Sequence, residues 1–500
     1  MKKYIFSRLL RSLVSLFAIT TLTYVLIFTM VPRTKIFNND PNYTKMAAQP
    51  DKKVNYENGV YERMGYINYW TSKELLDKAN DFDPSVTGEV NDTNKKIYED
   101  YIASLGNGWT LHQFPESGAF YATREISMFS RVLNFFTNLI EIDHPWRIKD
   151  AKNPDLERYL RFENDPSAGF ALVGSGTKHK YLLYFNGQFP FIHQNFVNLN
   201  LGVSYPTFSK VPVLQIITQT QGKKLLKEVT FPNGTKRSSS IDIYSRTYQT
   251  PSSVDKKTAA LFGEGDAYTK TQNLQTDPSM IANSALIGIF GVMISYLIAL
   301  PLGYFMAQHS GKLFDSISSG TLTFLIAIPS IAFIYVFRFL GSLTGLPDLF
   351  PTYGAQDIRS YILPALVLGF LGSLSLGLWT RRYLVDQKLS DYVRFARAKG
   401  LNEKEIMTRH IFKNAMVPIV AGIPGAILGV IVGATFTETV FAFPGMGKML
   451  IDAIKANNIN MVVGLNFIFS ALSILAVFLG DLFMTVLDPR IKLSTKGGGK

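Results

Sequence analysis

Residues 391–418 read DYVRFARAKGLNEKEIMTRHIFKNAMVP, and the stretch lies between two long apolar runs. It holds six Lys or Arg between Arg394 and Lys413, with Gly400 near its middle. Glycine permits the left-handed turn that lets one short helix fold back on another, and basic side chains are held near anionic headgroups. The segment therefore predicts a short helix–turn–helix at a membrane surface, long enough to pass a mechanical signal to a partner.

Working outward, the flanking runs look like membrane spans. Residues 13–31 and 286–307 contain no charge, and each is long enough to cross about 30 Å of hydrocarbon. The runs 317–337, 361–379, 416–437 and 461–479 are similar, so six spans are expected. Lys2, Lys3, Arg8 and Arg11 precede the first run, but the run is long for a secretory signal and no small-x-small cleavage site follows it. It reads as a retained anchor helix.

Six spans put both termini on one side, and positive charge says which. The N-terminus, Lys312, the 381–413 loop and the tail after 488 together hold eighteen Lys or Arg. The short opposite loops hold Arg359, Lys448 and Lys455, with Arg338 at a span end. Both termini are thus expected in the cytoplasm and residues 32–280 outside. The formal charge of +13 is mostly this topology signal, since the segment from Arg33 to Met280 carries 29 basic and 27 acidic residues. No basic stripe suggests nucleic acid. The absence of cysteine excludes disulfides, thiolate zinc sites and a Cys nucleophile.

The chain divides into an N-terminal tip and first helix (1–31), an insert (32–280), a five-helix core (281–487) and a tail (488–500). In the insert, Ile126, Phe129, Val132, Leu133, Phe136, Leu139 and Ile140 recur at helical spacing. Residues 181–185 and 213–217 are apolar runs of strand length, and 228–231 and 241–244 flank Pro232-Asn233-Gly234 as a hairpin. An α+β domain is expected, with 256–278 a loose tether into the second span.

Pro301, Pro329, Gly422, Pro424, Gly425 and Gly429 lie within spans. Small residues allow close helix approach, and Pro frees carbonyls that can line a cavity, so both tight packing and a rearranging translocation path are open readings. Charges inside spans are nearly absent, which argues against a proton- or sodium-coupled carrier. The histidines of the insert (112, 144, 179 and 193) lack metal-ligand spacing, Gly174-Ser175-Gly176-Thr177-Lys178 has the wrong order for a phosphate loop, and no metal site is expected.

The motifs resemble those of ABC-importer permeases. Ala396-Arg397-Ala398-Lys399-Gly400-Leu401, followed by Arg409-His410, Asn414-Ala415 and Pro418, is similar to the coupling loop of the oligopeptide, dipeptide and nickel branch, although Arg394 and Phe395 replace the Glu and first Ala of the general signature. Glu438-Thr439-Val440-Phe441-Ala442-Phe443-Pro444-Gly445-Met446-Gly447 resembles the outer segment of that branch, Asp488-Pro489-Arg490 its last-span terminus, and Leu201-Gly202-Val203-Ser204-Tyr205 a weaker element before span 2.

The likeness covers about 281–493 and is nearest to a Gram-positive oligopeptide-permease membrane subunit; it leaves most of the insert unexplained. It implies an all-α six-helix bundle forming half of an oligopeptide path. No cofactor would bind this chain, and ATP would be used by partner subunits. A second permease, two ATPases docked at 391–410 (Asp391, Arg394 and Ala396 to Leu401, with Arg409 and His410) and a surface-tethered peptide-binding lipoprotein would complete the assembly. The competing readings are a membrane enzyme or a sensor acting through the insert. No intramembrane His or Asp pair supports the first, no cytoplasmic signalling domain supports the second, and neither predicts a coupling loop.

Overall fold

The computed structural model describes residues 2–187 and 191–487; Asp488-Pro489-Arg490 and the rest of the tail lie outside the described residues. Among the described residues five helices are long and apolar enough to cross a membrane: Ile5–Met30, Met280–Gln308, Arg359–Lys388, Glu403–Val440 and Ile459–Leu487. The 317–337 run, expected as one span with Pro329 inside it, is two helices, Leu313–Ala327 and Ser330–Leu343, bent by 99°. The cause is Pro329, which has no N–H to donate and pushes Ile328 to an extended ψ of 132°.

The Met280–Gln308 and Arg359–Lys388 helices pair along their length, and their glycines explain how. A Cβ on Gly369 would fall 2.5 Å from Ile294 Cγ2, and one on Gly303 would fall 2.6 Å from Thr380 Cβ. Backbones this close require residues without side chains. The first helix runs antiparallel to the last. Asn466 Nδ2 donates to Thr23 Oγ1 at 3.0 Å, and fifteen residues further along each helix Arg8 pairs with Asp481.

The insert folds as several small lobes of helix and antiparallel sheet. Ile67–Trp70, Phe120–Glu125 and Trp109–Gln113 form a three-stranded sheet with the middle segment central. The helices Ser72–Phe82 and Asp92–Leu105 cover it, burying Leu75, Ala79 and Tyr98 against Phe120 and Ala122. A four-stranded sheet follows, from Tyr159–Asp165 to His193–Gln194. Behind it Arg246 is fully buried, bonded to Tyr181 Oη at 3.0 Å and the Tyr268 carbonyl at 2.6 Å, and paired with Asp266. Burial works against the nearby Asp165 carboxyl, but Lys180 and the amides of Ser167 and Ala168 hold it below the usual carboxylate range.

Four expectations for the insert need correction. The 126–140 helix spans only Met128–Thr137; Asn138 ends it, and Ile140–Ile142 is a strand. Residues 213–217 form a helix, Val213–Thr218, because Val213, Ile216 and Ile217 must all face the spanning bundle, which needs a three-to-four-residue period. The Asn233-Gly234 hairpin joins Lys227–Thr230 to Lys236–Ser239, the shorter closure, and Ile241–Thr247 pairs elsewhere. The 256–278 stretch is not a tether. Asp255 caps a Lys256–Phe262 helix that buries Leu261 and Phe262, Lys270–Asn273 pairs with Ile241–Thr247, and Gln275–Asp277 pairs with Gln221–Lys224.

Candidate functional site

At the end of the bundle where Arg359–Lys388 stops, the Asp391–Ala398 helix turns back through Gly400, whose φ is +81°. The Gly400 amide donates to the Arg397 carbonyl at 3.0 Å and the Leu401 amide to that of Ala396 at 3.3 Å, closing the first helix. Asn402 opens the second, its Oδ1 accepting from the Glu405 amide at 2.7 Å. That helix continues as a π-turn, Ile406–Ile411, a geometry common at functional sites. Its buried residues Ile406, Met407 and Ile411 pack on Val393, Ala396, Leu384 and Ala307.

The opposite face of this loop meets solvent. Arg397 binds Glu403 through two bonds of 2.6 and 3.1 Å, which keeps the guanidinium above its ordinary pKa, and Arg409 pairs with Glu405 at 2.8 Å. Phe395 is 69% exposed beside Arg394 and Asp391. Ala398, Lys399 and His410 lie on the same two short helices. Two anchors escaped sequence reading: Arg381 Nη2 binds the buried Asp315 at 2.6 Å, and Lys388 Nζ donates to the Ala307 carbonyl. Both tie the loop to the neighbouring turn. A basic residue three turns before a loop carries no signal for this in sequence.

At the far end of the bundle the Glu438–Gly447 motif makes a compact cap. The Glu438 side chain is fully buried and accepts from Ser284 Oγ at 2.6 Å and from the Lys448 amide at 2.9 Å. Ser284 Oγ accepts in turn from the Met446 amide at 2.9 Å, so the free N–H groups opening the Met446–Lys455 helix are taken. A Cβ on Gly445 would fall 2.3 Å from Glu438 Cδ, and one on Gly447 2.6 Å from Thr435 Cα. Pro444 offers its carbonyl to Asn283 Nδ2 at 3.0 Å. The glycines are there because the carboxyl lies against the backbone.

Leu201–Tyr205 seats on the start of the last helix. Asn458 Nδ2 donates to Ser204 Oγ at 2.7 Å, Asn460 Nδ2 to the Val203 carbonyl at 2.9 Å, and Leu201 packs beside Gly464. Asn458 and Asn460 were not legible as partners without the fold.

The hinge candidates divide. The Met280–Gln308 helix runs through Pro301 unbroken, whereas Pro329 separates two helices. Gly422 ends one helical segment and Pro424 opens the next. A Cβ on Gly425 would have only the Ala476 carbonyl in reach, at 3.8 Å, and one on Gly429 would meet nothing within 4 Å. Among the described residues no cluster of three His, Asp or Glu could hold a metal.

Residues 299–493 match the family described as "Binding-protein-dependent transport system inner membrane component". Over 498 residues, covering all of both chains, the sequence is 61% identical to the oligopeptide transport system permease protein AmiC of Streptococcus pneumoniae serotype 4. It is 32% identical over 224 residues to the peptidoglycan transport system permease protein YejB of Agrobacterium fabrum, covering 42% of this chain and 62% of that one. A structure of the MetNI methionine ABC transporter matches with a TM-score of 0.33 and 14% identity, over 42% of this chain and 94% of that chain, a likeness too slight to add to these. The full-length identity decides the matter: the chain belongs to the family of inner-membrane permease components of binding-protein-dependent transport systems.

Proposed function

We propose that this chain forms one half of the translocation path of an ATP-driven oligopeptide importer, with hydrolysis supplied by separate subunits that dock on 391–410. The observation that carries the reading is the loop itself: two short helices folded about Gly400, a buried face locked to the bundle by Val393, Ile406 and Ile411, and an outer face of ion pairs around an exposed Phe395. A rigidly backed surface of this kind can transmit displacement, and a lone aromatic rimmed by charge suits a groove on a soluble partner. The 61%-identical relative is an oligopeptide transport permease, which supports oligopeptides as cargo. As a member of a permease family the chain is a transport subunit, not an enzyme.

In this reading six spans, counting the bent pair as one, place both termini in the cytoplasm. Residues 32–280 lie outside, 281–487 form the core, and the Glu438–Gly447 cap braces the outer end. Pro329, Gly422, Pro424, Gly425 and Gly429 are the places where the path can rearrange, and Pro301 lies in the helix behind them. A second permease completes the path, and a surface-tethered binding lipoprotein delivers peptide against the insert. Purification in mild detergent followed by mass spectrometry tests it: two ATPases, a second permease and bound peptide are expected. Recovery of this chain with no ATPase would overturn the reading.

A further inference from the structure

We propose that the insert is not wholly aqueous: the Met128–Thr137 helix and the strand pair that follows it sit in the bilayer leaflet on the insert's side, with their outward apolar face against acyl chains. The proposal rests on the permease reading only in placing the bundle in a membrane.

Depth can be measured along the first helix. Two contacts set an antiparallel register with the last helix, and the Arg8–Asp481 pair marks one edge of the hydrocarbon, because charges are expensive further in and Arg11, one turn on, turns back to donate to the Ser7 carbonyl at 3.3 Å. Twenty residues on lies Phe28, about 30 Å away at 1.5 Å per residue, which is the thickness of the hydrocarbon. The other edge therefore falls near Phe28.

The Met128–Thr137 helix descends from that edge. The Arg131 guanidinium sits between the Phe28 and Tyr66 rings, 4.3 and 4.2 Å from their centroids. One turn further on, Phe135 meets Tyr24 at 5.6 Å, and Phe136 meets Phe17 at 4.4 Å. Phe17 is eleven residues below Phe28, so the Phe136 ring reaches about 16 Å inward, while the chain past the tip stays shallower: Asn200 bonds the Leu139 carbonyl, and Leu201 packs beside Gly464, level with residue 25 and about 5 Å inside the edge. The only charged residue of the helix, Arg131, stays at the edge and turns inward.

One outward stripe of the helix is apolar, while its exposed polar residues are set apart from it: Asn134 and Asn138 line a cleft beside Arg63 and Asn460, and Thr137 Oγ1 donates to the Asn134 carbonyl. Phe129 is 79% exposed and Leu133 52%, one helical turn apart. Beyond the tip, Ile140 pairs with Leu199 and Ile142 with Val197, and all four project exposed from the same face of the strand pair. The polar residue between them, Glu141, points the other way, to Arg147 at 2.9 Å and Asn200. The first spanning helix beside it also exposes apolar side chains, Phe17, which meets Phe136, and Leu22. Lipid is the occupant the depth demands, because water at that level would leave six large apolar side chains and a helix end in a medium the bilayer does not supply.

The chain has no cysteine, so single-cysteine variants need no prior engineering. Spin labels at Leu133→Cys and Ile140→Cys, with Leu22→Cys and Phe162→Cys as membrane and aqueous references, are read in the whole importer complex reconstituted in phosphatidylethanolamine–phosphatidylglycerol vesicles. Accessibility to oxygen and to a water-soluble nickel chelate is compared. The Leu133 and Ile140 labels should resemble Leu22, with an oxygen-to-nickel ratio several-fold above that of Phe162. A ratio like that of Phe162 overturns the proposal, and so does exclusion of both reagents, which means a protein partner covers the face. Co-purification of the ATPases before labelling reports separately on the permease reading.

Discussion

Gly445 and Gly429 lie sixteen residues apart in one apolar stretch, yet they face opposite constraints. A side chain at Gly445 collides with the Glu438 carboxyl, whereas at Gly429 there is open space. Gly445→Ala should therefore destabilise the complex by about 1–3 kcal/mol through overpacking, seen as a lower unfolding midpoint in detergent. Glu438→Ala should cost up to twice as much by orphaning the Ser284 hydroxyl and the Lys448 amide, at about 1–3 kcal/mol per unsatisfied buried group. Gly429→Leu is expected to leave the midpoint unchanged and to lower peptide uptake if the path runs there. Unchanged uptake would remove Gly429 from the path. Gly400 combines the two situations: nothing lies near it, but its φ is positive, so Gly400→Val strains only the backbone, by roughly 1–2 kcal/mol. The variant should insert and assemble while ATP hydrolysis no longer drives uptake. Wild-type uptake from it would show that the turn does not couple.

At the scale of elements, legibility followed the source of each signal. The spanning helices were readable because a lipid-facing run must be apolar along its whole length, and Pro329 was readable as a possible break because its chemistry is local. The bend of 99° was not readable, since a proline within an apolar run is compatible with both a kink and a full break. The insert was less legible. Val213–Thr218 has strand-forming residues but is recruited as a helix by the bundle it packs on, a tertiary override of propensity. The 256–278 stretch reads as polar and patternless because its strands are edges with solvent on one side, and their partners lie far off in sequence. Of the candidate site, the turn at Gly400 and the Glu438–Gly447 cap were legible as motifs, while Asp315, Ser284 and Asn458 were not, being contacts between distant segments. One expectation reverses as a result. Deleting 256–275 removes the buried Leu261, Phe262 and Tyr268 and the partner of Ile241–Thr247, a loss of several times the 1.5–3 kcal/mol or so gained per buried apolar side chain. The truncated insert should be degraded rapidly by added protease; resistance equal to that of the full chain would mean the lobe folds without it.

For the whole molecule the remaining question is which way it faces. The long helices leave large apolar faces bare, Phe324, Phe339 and Leu343 on the bent pair among them, which in the proposed assembly lipid and a second permease would share. Orientation follows from charge, because Lys and Arg near short loops resist translocation. The coupling loop and the insert emerge from opposite ends of the bundle, so a single measurement fixes both. In intact, wall-stripped cells, a membrane-impermeant maleimide should label Phe162→Cys, on the exposed face of the four-stranded sheet, and should reach Arg394→Cys only after permeabilisation. External protease should likewise release a discrete insert fragment and spare the region around Lys388. The converse pattern, with Arg394→Cys labelled from outside and Phe162→Cys protected, would invert the topology. It would put the loop where no ATP is available, and the ATPase-docking role of Gly400 and its neighbours would fall with it.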